Sequence, residues 1–289
     1  MKIAVTGKNG QIVQSLLAIA SKDFEVIAIG RPELDLTVLE TIFPRLAAIE
    51  PDIIISAAAY TAVDQAQDEP ELAYAVNAKG AGAVSEAAAK LGIPIIHIST
   101  DYVFDGEKIG KYTETDQPNP KTVYGATKLQ GEILVSRFNL KHIILRTAWV
   151  YSPYGNNFLK TMLKLASERK EIHVVSDQHG NPTSAENIAT IILMLCHYIQ
   201  IKSFKDWGVY HVVDNSETTW YDWAKFIFES AGIEIVTHPI NTSDYPSKAQ
   251  RPKNSSLATD KIKKILSCEM QNLKPSTLRV IQRLKAPTV

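Results

Sequence analysis

With 289 residues, 45% of them hydrophobic and 21% charged, the chain suits one large α/β domain or a nucleotide-binding domain with a smaller companion, and no biased tract points to disorder. Lys plus Arg (31) balance Asp plus Glu (31), so no overall field favours nucleic acid or an anionic membrane. The two cysteines, Cys196 and Cys268, fit no metal-ligand or redox spacing and read as buried thiols in a reducing compartment.

The first predicted strand, Lys2–Thr6, is preceded by no cleavable apolar region, and no apolar run reaches the roughly 18 residues a membrane helix needs. A cytoplasmic protein is expected. Thr6-Gly7-Lys8-Asn9-Gly10-Gln11-Ile12-Val13 then leads into a helix over Gln11–Ala20. Gly7 permits a tight turn, and Gly10 lets the backbone approach a pyrophosphate at the helix N-terminus, where unpaired N–H groups point. Val13 fills the third small position, so the G-x-x-G-x-x-G pattern is incomplete.

The second strand, Glu25–Ile29, ends in Gly30-Arg31. NAD-preferring sites place a carboxylate there for the ribose hydroxyls, whereas an Arg accommodates a 2′-phosphate. Arg31 therefore predicts NADPH preferred over NADH, without excluding NADH. A helix over Thr37–Ile49, a strand over Asp52–Ser56, a helix over Pro70–Leu91 and a strand over Ile95–Ser99 follow, then a helix over Val123–Phe138 and a strand over His142–Thr147. Several of these strands are apolar on both faces, as parallel strands under helices are. The alternation predicts an α/β fold, a Rossmann-like doubly wound parallel sheet with ligands outside the carboxyl ends of its strands.

The second half is less regular. It reads as a helix over Asn157–Glu168, a strand over Ile172–Ser176, a helix over Ala185–Tyr198, a strand over Val209–Val213 returning to the sheet, and a helix over Trp220–Ser230. The expected division is a dinucleotide-binding domain from 1–152 and 183–214, with a smaller α/β substrate-binding lobe from 153–182 and 215–289.

Tyr-x-x-x-Lys occurs three times, at Tyr124/Lys128, Tyr198/Lys202 and Tyr221/Lys225. Such a pair shares one helix face. A phenol with an ordinary pKa near ~10 needs help to exchange a proton near neutrality, and a nearby ammonium favours phenolate; a shift of about three units takes roughly 4 kcal/mol. Position separates the three. Tyr198/Lys202 follows no hydroxyl cluster and Tyr221/Lys225 lies among Trp223 and Phe226, so both read as structural. Tyr124/Lys128 opens a helix downstream of Ser99-Thr100-Asp101, which leaves the carboxyl end of a strand. Other catalytic templates are missing: the seven histidines show no paired metal spacing, no G-x-S-x-G elbow occurs, and no metal is expected. His97, inside an apolar strand, reads as a hydrogen-bonded core histidine.

Together with Ala57-Ala58-Ala59-Tyr60-Thr61-Ala62-Val63-Asp64, Thr100-Asp101-Tyr102-Val103-Phe104-Asp105-Gly106, Arg146-Thr147-Ala148-Trp149-Val150-Tyr151, Gly180-Asn181-Pro182-Thr183 and Arg251-Pro252-Lys253-Asn254-Ser255, these segments closely resemble the dTDP-4-dehydrorhamnose reductases, extended short-chain dehydrogenase/reductases of rhamnose biosynthesis. The likeness spans nearly the whole chain. It implies hydride transfer to C4 of dTDP-4-dehydro-β-L-rhamnose, with Tyr124 as proton donor, Lys128 positioning the nicotinamide ribose and tuning Tyr124, and Thr100 bonding the reacting oxygen. It places Gly7, Gly10, Gln11, Ile12, Asp35, Leu36 and Ala57, Ala58, Ala59 along the cofactor. Asp101, Phe104, Asp105 and Trp149 would face the sugar, with Arg251 and Asn254 near the nucleotide diphosphate.

The resemblance implies a small nucleotide-sugar substrate and a monomer or homodimer. Some relatives dimerise through magnesium held by carboxylates, one early on the first helix; Gln14 and Ser15 stand there, so that dimer is not predicted. Glu186 is either a remnant of it or a helix N-terminal acid. Val13 puts close packing of the first helix in question. Two rivals share the resemblance. One is a sugar epimerase or 4,6-dehydratase, the latter disfavoured because Asp101 is followed by Tyr102 rather than a second carboxylate. The other is a regulatory role like that of the methionine adenosyltransferase β-subunit, disfavoured by retention of Tyr124, Lys128 and Thr100 together.

Overall fold

The computed structural model describes residues 1–201 and 204–286. Five parallel strands, β1 (Lys2–Thr6), β2 (Glu25–Ile29), β3 (Ile53–Ser56), β4 (Ile95–Thr100) and β5 (His142–Thr147), are joined at the β5 edge by a sixth, Gly208–His211. The spatial order is β2-β1-β3-β4-β5 followed by Gly208–His211. After β2 the chain crosses back to the far side of β1, so the strand order reverses between β1 and β3. A crevice outside the carboxyl ends of strands opens at such a point.

Strand side chains alternate between two cores, as the pleat requires. Ile3, Val5, Ile53, Ile55, Ile96 and Ile98 face one side, where α1 (Gln11–Ile19) packs on α7 (Ala185–Ile201). Ala4, Ile54, Ile95 and Ile144 face the other, beneath α2 (Ile42–Ala47), α4 (Ala81–Lys90) and α5 (Val123–Phe138). This two-sided burial explains why β3 runs Ile53-Ile54-Ile55 without alternation.

The predicted helix over Pro70–Leu91 is interrupted. It comprises α3 (Pro70–Tyr74), a π-helical turn at Ala75–Gly80 and then α4. Asn77 in that turn is buried, and its amide accepts from Tyr60 N (2.8 Å) and donates to Tyr60 O and Thr127 Oγ1 (both 3.1 Å). The predicted Thr37–Ile49 helix begins as a 3₁₀ turn at Leu39–Thr41 before α2.

A further core forms from Tyr151, Leu159, Met162, Ile172, Trp223, Ile227 and Ile281, joining α6 (Phe158–Glu168), α8 (Trp220–Ala231) and α10 (Leu273–Lys285) with the parallel pair Glu171–Val175 and Val236–Ile240. Not all of 215–289 packs there. Ile262 of α9 (Asp260–Leu266) and Met270 bury beside Ile188 and Ile192 of α7, on the sheet's own core, because their apolar side chains meet α7 rather than α8. Cys268 is half-buried instead of buried, whereas Cys196 is enclosed and its thiol is pushed up to about 12 by burial. Glu186, in the first turn of α7, pairs with Arg283 at 2.9 Å. No helix among the described residues is long and apolar enough to cross a membrane.

Candidate active site

Gly7, at φ +96°, turns the chain out of β1 in a conformation L side chains rarely adopt. Gly10 is the N-cap of α1, with neither a side-chain cap nor an acid in the first turn, so that turn's N–H groups remain for an anion. Thr6 Oγ1 accepts from Ala57 N and Ala58 N (3.1 Å each), drawing the end of β3 against the glycine turn. Val13 is buried, with its Cγ2 only 3.6 Å from where a side chain on Gly7 would start, and α1 still packs closely on α7. Ile12 joins the same core. The Gln11 side chain is spent within the protein: its Oε1 accepts from Ser152 Oγ (2.9 Å) and Asn157 Nδ2 (3.0 Å).

Arg31 presents a guanidinium with 78% exposure, 3.9 Å from Asp35 Oδ2. The Asp35 carboxylate takes Thr37 N and Oγ1 (2.9 and 2.8 Å), which hold it below the usual carboxylate range. Leu36 turns inward under Gly80, where an added Cβ would stand 2.7 Å from its own Cβ. An exposed cation at the β2 edge, held only at its Nε side by Asp35, an open helix N-terminus and a glycine turn at the strand-order reversal fit a phosphorylated dinucleotide.

The other half of the site is held by α5. Its N-cap Thr122 accepts from Gly125 N at 3.0 Å, and a Cβ on Gly125 would land on the Tyr102 carbonyl. The start of α5 is thereby pressed onto the 3₁₀ turn Asp101–Val103 that follows β4. Tyr124 stands edge-on to Tyr102, with ring centroids 5.6 Å apart. Burial pushes its phenol up, and a hydrogen bond with Thr100 pulls the other way. Thr100 Oγ1 donates to Asp101 Oδ1 at 2.9 Å, and Asp101, 3% exposed, is pushed up to about 6 by burial against the pull of Thr100 and Ser255.

One turn along, Lys128 is 2% exposed and its ammonium is brought down to about 8 by burial, with the Glu132 charge opposing. It donates to Ile98 O at 2.6 Å and faces His97 Nε2 at 3.3 Å. The expected lowering of the phenol by the lysine is replaced here by burial as the dominant influence, because the ammonium is turned to β4. His97 is a fully buried core histidine, as its strand position predicts, yet it touches the lysine.

Sequence reasoning passed over Glu132, which continues the Tyr124–Lys128 stripe by one more turn. It accepts from Arg146 Nε (2.9 Å), Arg146 NH2 (2.6 Å) and Ser99 Oγ (2.5 Å). The i, i+4 spacing from Lys128 was the available signal. Tyr102 was also passed over: its hydroxyl accepts from Arg251 NH1 at 3.0 Å, and Arg251 also pairs with Asp64.

The residues assigned to the sugar and diphosphate are unevenly placed. Trp149, at φ +46°, is half-buried and stacks on Trp220 with centroids 3.5 Å apart; Gly180 lies so close that an added Cβ would be 2.6 Å from the indole. Phe104 is 2% exposed, stacked on Tyr112 at 4.3 Å and covered by Arg146, so its ring belongs to a core. Asp105 accepts from Tyr112 OH (2.7 Å), Asn119 Nδ2 (3.0 Å) and Glu107 N (3.1 Å), which commits it to its own turn. Asn254 Nδ2 donates to Lys108 O (2.8 Å) and Gly110 O (2.7 Å), closing the loop beside Gly106. Of the other Tyr-x-x-x-Lys matches, Lys225 sits over the Tyr221 ring at 5.3 Å, away from the crevice, and Lys202 lies outside the described residues.

The sheet order, glycine turn and α5 tyrosine–lysine pair together define a Rossmann-like reductase. A family model described as "RmlD substrate binding domain" matches residues 1–286, and the chain belongs to that family. It is 45% identical to the dTDP-4-dehydrorhamnose reductase of Sinorhizobium fredii, over 98% of each chain. It is 39% identical to that of Escherichia coli K12, over 100% of this chain and 99% of the relative. Among solved structures, a dTDP-4-dehydrorhamnose reductase from Clostridium acetobutylicum superposes with TM-score 0.93 at 37% identity, covering 99% of this chain and 100% of that one. Another from Bacillus anthracis, in complex with NADP, gives 0.93 at 35%, covering 98% and 99%. A Thermotoga maritima UDP-glucose 4-epimerase, TM-score 0.79 at 21% identity over 98% of each chain, shares the fold.

Proposed function

We propose that this protein reduces the C4 keto group of dTDP-4-dehydro-β-L-rhamnose to give dTDP-β-L-rhamnose, with NADPH preferred and NADH also accepted. The carrying observation is the placement of Tyr124 beside Thr100 at the carboxyl end of β4, with Lys128 one turn behind on the same helix. The reductase relatives and the NADP-bound neighbour support the substrate and the cofactor.

When bound, the dihydronicotinamide supplies the hydride that adds to C4. Gly7, Gly10 and the first-turn N–H groups of α1 would hold its pyrophosphate, Arg31 its 2′-phosphate, and Ala57–Ala59 the edge of the crevice. Burial keeps Tyr124 protonated across the physiological range, so the phenol has a proton to give as the C4 oxygen gains negative charge. Thr100 stands beside the phenol and moderates the effect of its burial, and the Thr100 hydroxyl is itself oriented by Asp101. Lys128 keeps donor capacity beyond its bond to Ile98 O, suited to a ribose hydroxyl. Dehydration lacks its second acid, because the residue after Asp101 is a tyrosine held by Arg251. We place the activity in the cytoplasm, on the reduced thiols, in a monomer or homodimer that light scattering distinguishes.

The test supplies purified protein with dTDP-4-dehydrorhamnose and NADPH and follows absorbance of the reduced cofactor together with product mass. Turnover is expected. No oxidation of either reduced cofactor, alongside stable capture of a synthetase subunit, overturns the assignment in favour of a regulatory role.

A further inference from the structure

Strand β4 reads Ile95-Ile96-His97-Ile98-Ser99-Thr100, and the pleat sends His97 and Ser99 to the α5 face while Ile96 and Ile98 enter the opposite core. His97 is fully buried. Its Nδ1 lies 3.1 Å from Ser56 Oγ and its Nε2 3.3 Å from Lys128 Nζ. An ammonium carries three donors and no acceptor, so a nitrogen that bonds to it presents a lone pair. The ring proton then belongs on Nδ1, where the Ser56 hydroxyl accepts it. A doubly protonated ring would put two cations against each other away from water; burial first, and the Lys128 charge second, hold the imidazole well below its ordinary range.

We propose that His97 is a positioning residue for Lys128: a neutral imidazole, protonated at Nδ1, whose Nε2 takes one ammonium hydrogen while Ile98 O takes another, leaving the third for a ligand in the crevice. Lys128 selects the tautomer and Ser56 at the end of β3 accepts the Nδ1 proton, so two neighbouring strands of the sheet, β3 and β4, and the helix α5 covering them set the direction of one N–H. The kinetic consequence rests on the reductase reading above; the tautomer does not.

The test has two arms. In ¹⁵N-histidine-labelled wild-type protein, long-range ¹H–¹⁵N correlation, with His97 assigned by loss of its signals in His97→Gln, is expected to show a non-titrating neutral ring protonated at Nδ1. Protonation at Nε2, or a ring that titrates near neutrality, overturns the proposal whether or not any sugar is reduced. In steady-state assays His97→Leu is expected to lower kcat by about 10-fold or more while the nucleotide-sugar KM moves far less, because the cost is misdirection of a catalytic-site group. His97→Gln, whose amide oxygen restores an acceptor, is expected to recover most of that loss. Equal kcat in wild type, His97→Leu and His97→Gln overturns the proposal. If His97→Leu does not fold, the wild-type spectrum and the His97→Gln kcat decide. Absence of turnover in wild type with an Nδ1-protonated ring would reject the reductase reading and leave the tautomer standing.

Discussion

Glu132→Ala tests how much of the site depends on the buried charge pair behind Lys128. Both side chains of the Glu132–Arg146 pair are 5% exposed, and the carboxylate receives bonds of 2.9 and 2.6 Å from the guanidinium and 2.5 Å from Ser99. Truncating Glu132 strands a guanidinium whose NH1 already lacks a partner. Breaking such a pair costs about 3–5 kcal/mol, against a total stability of roughly 5–15 kcal/mol for an ordinary protein. At about 2–4 °C per kcal/mol for a chain of this order, the midpoint should fall by roughly 6–20 °C. Glu132→Leu combined with Arg146→Met removes both charges, so it should cost far less than the sum of Glu132→Leu and Arg146→Met made singly. Thermal and urea unfolding, followed by circular dichroism at neutral pH for wild type, both singles and the double, measure the coupling. Single costs below about 1 kcal/mol, or strict additivity, would mean that the two charges are not coupled in the folded protein.

Tyr124→Phe should cut turnover by ~10² or more with NADPH affinity nearly unchanged, since general acid catalysis is what is lost; cofactor titration beside initial rates checks both halves. Arg31→Ala should raise the NADPH KM by about 10-fold and leave the NADH KM in place, because of the two cofactors only NADPH brings a 2′-phosphate to the exposed guanidinium; parallel rises with both cofactors would contradict it. Asp101 carries a folded-state pKa of about 6, above the ordinary 3.8, so its proton is held more tightly in the folded protein and its stabilising effect is full below the unfolded value. That contribution, about 3 kcal/mol, is lost as pH rises from about 4 through about 6, and Asp101→Asn should flatten this part of the stability–pH curve. Gly131→Ala should destabilise strongly, since a Cβ there would fall on the Asn77 carbonyl oxygen of the π-helical turn; an unchanged midpoint would show that α5 can shift outward at little cost.

The sheet and its helices were legible along the chain because each strand and helix carries its burial pattern locally: β1, β2, β5 and α5 begin and end where the apolar spacing and turn residues put them. The interruption at Ala75–Gly80 was not, since the π turn accompanies an Asn77 amide bonded to Tyr60 and Thr127, residues far away in sequence. Nor was the docking of α9 on α7, because an amphipathic stretch does not state which apolar surface it will meet.

Within the site, motif order singled out Tyr124 and Lys128 from three equal spacings, because only that pair follows the hydroxyls at a strand's carboxyl end. Residue identity alone said what kind of group was present: a phenol, an amine, a hydroxyl, a cation after β2. Tertiary structure decided what each group faces. It turned the Lys128 ammonium to Ile98 O and His97, placed Glu132 on Arg146, and committed Asp105 to its own turn and Asn254 to the distant carbonyls of Lys108 and Gly110. Periodicity and chain order are properties of neighbours in sequence, whereas burial and hydrogen-bond partnership are properties of neighbours in space, and it is the latter that direct a proton or shift a pKa.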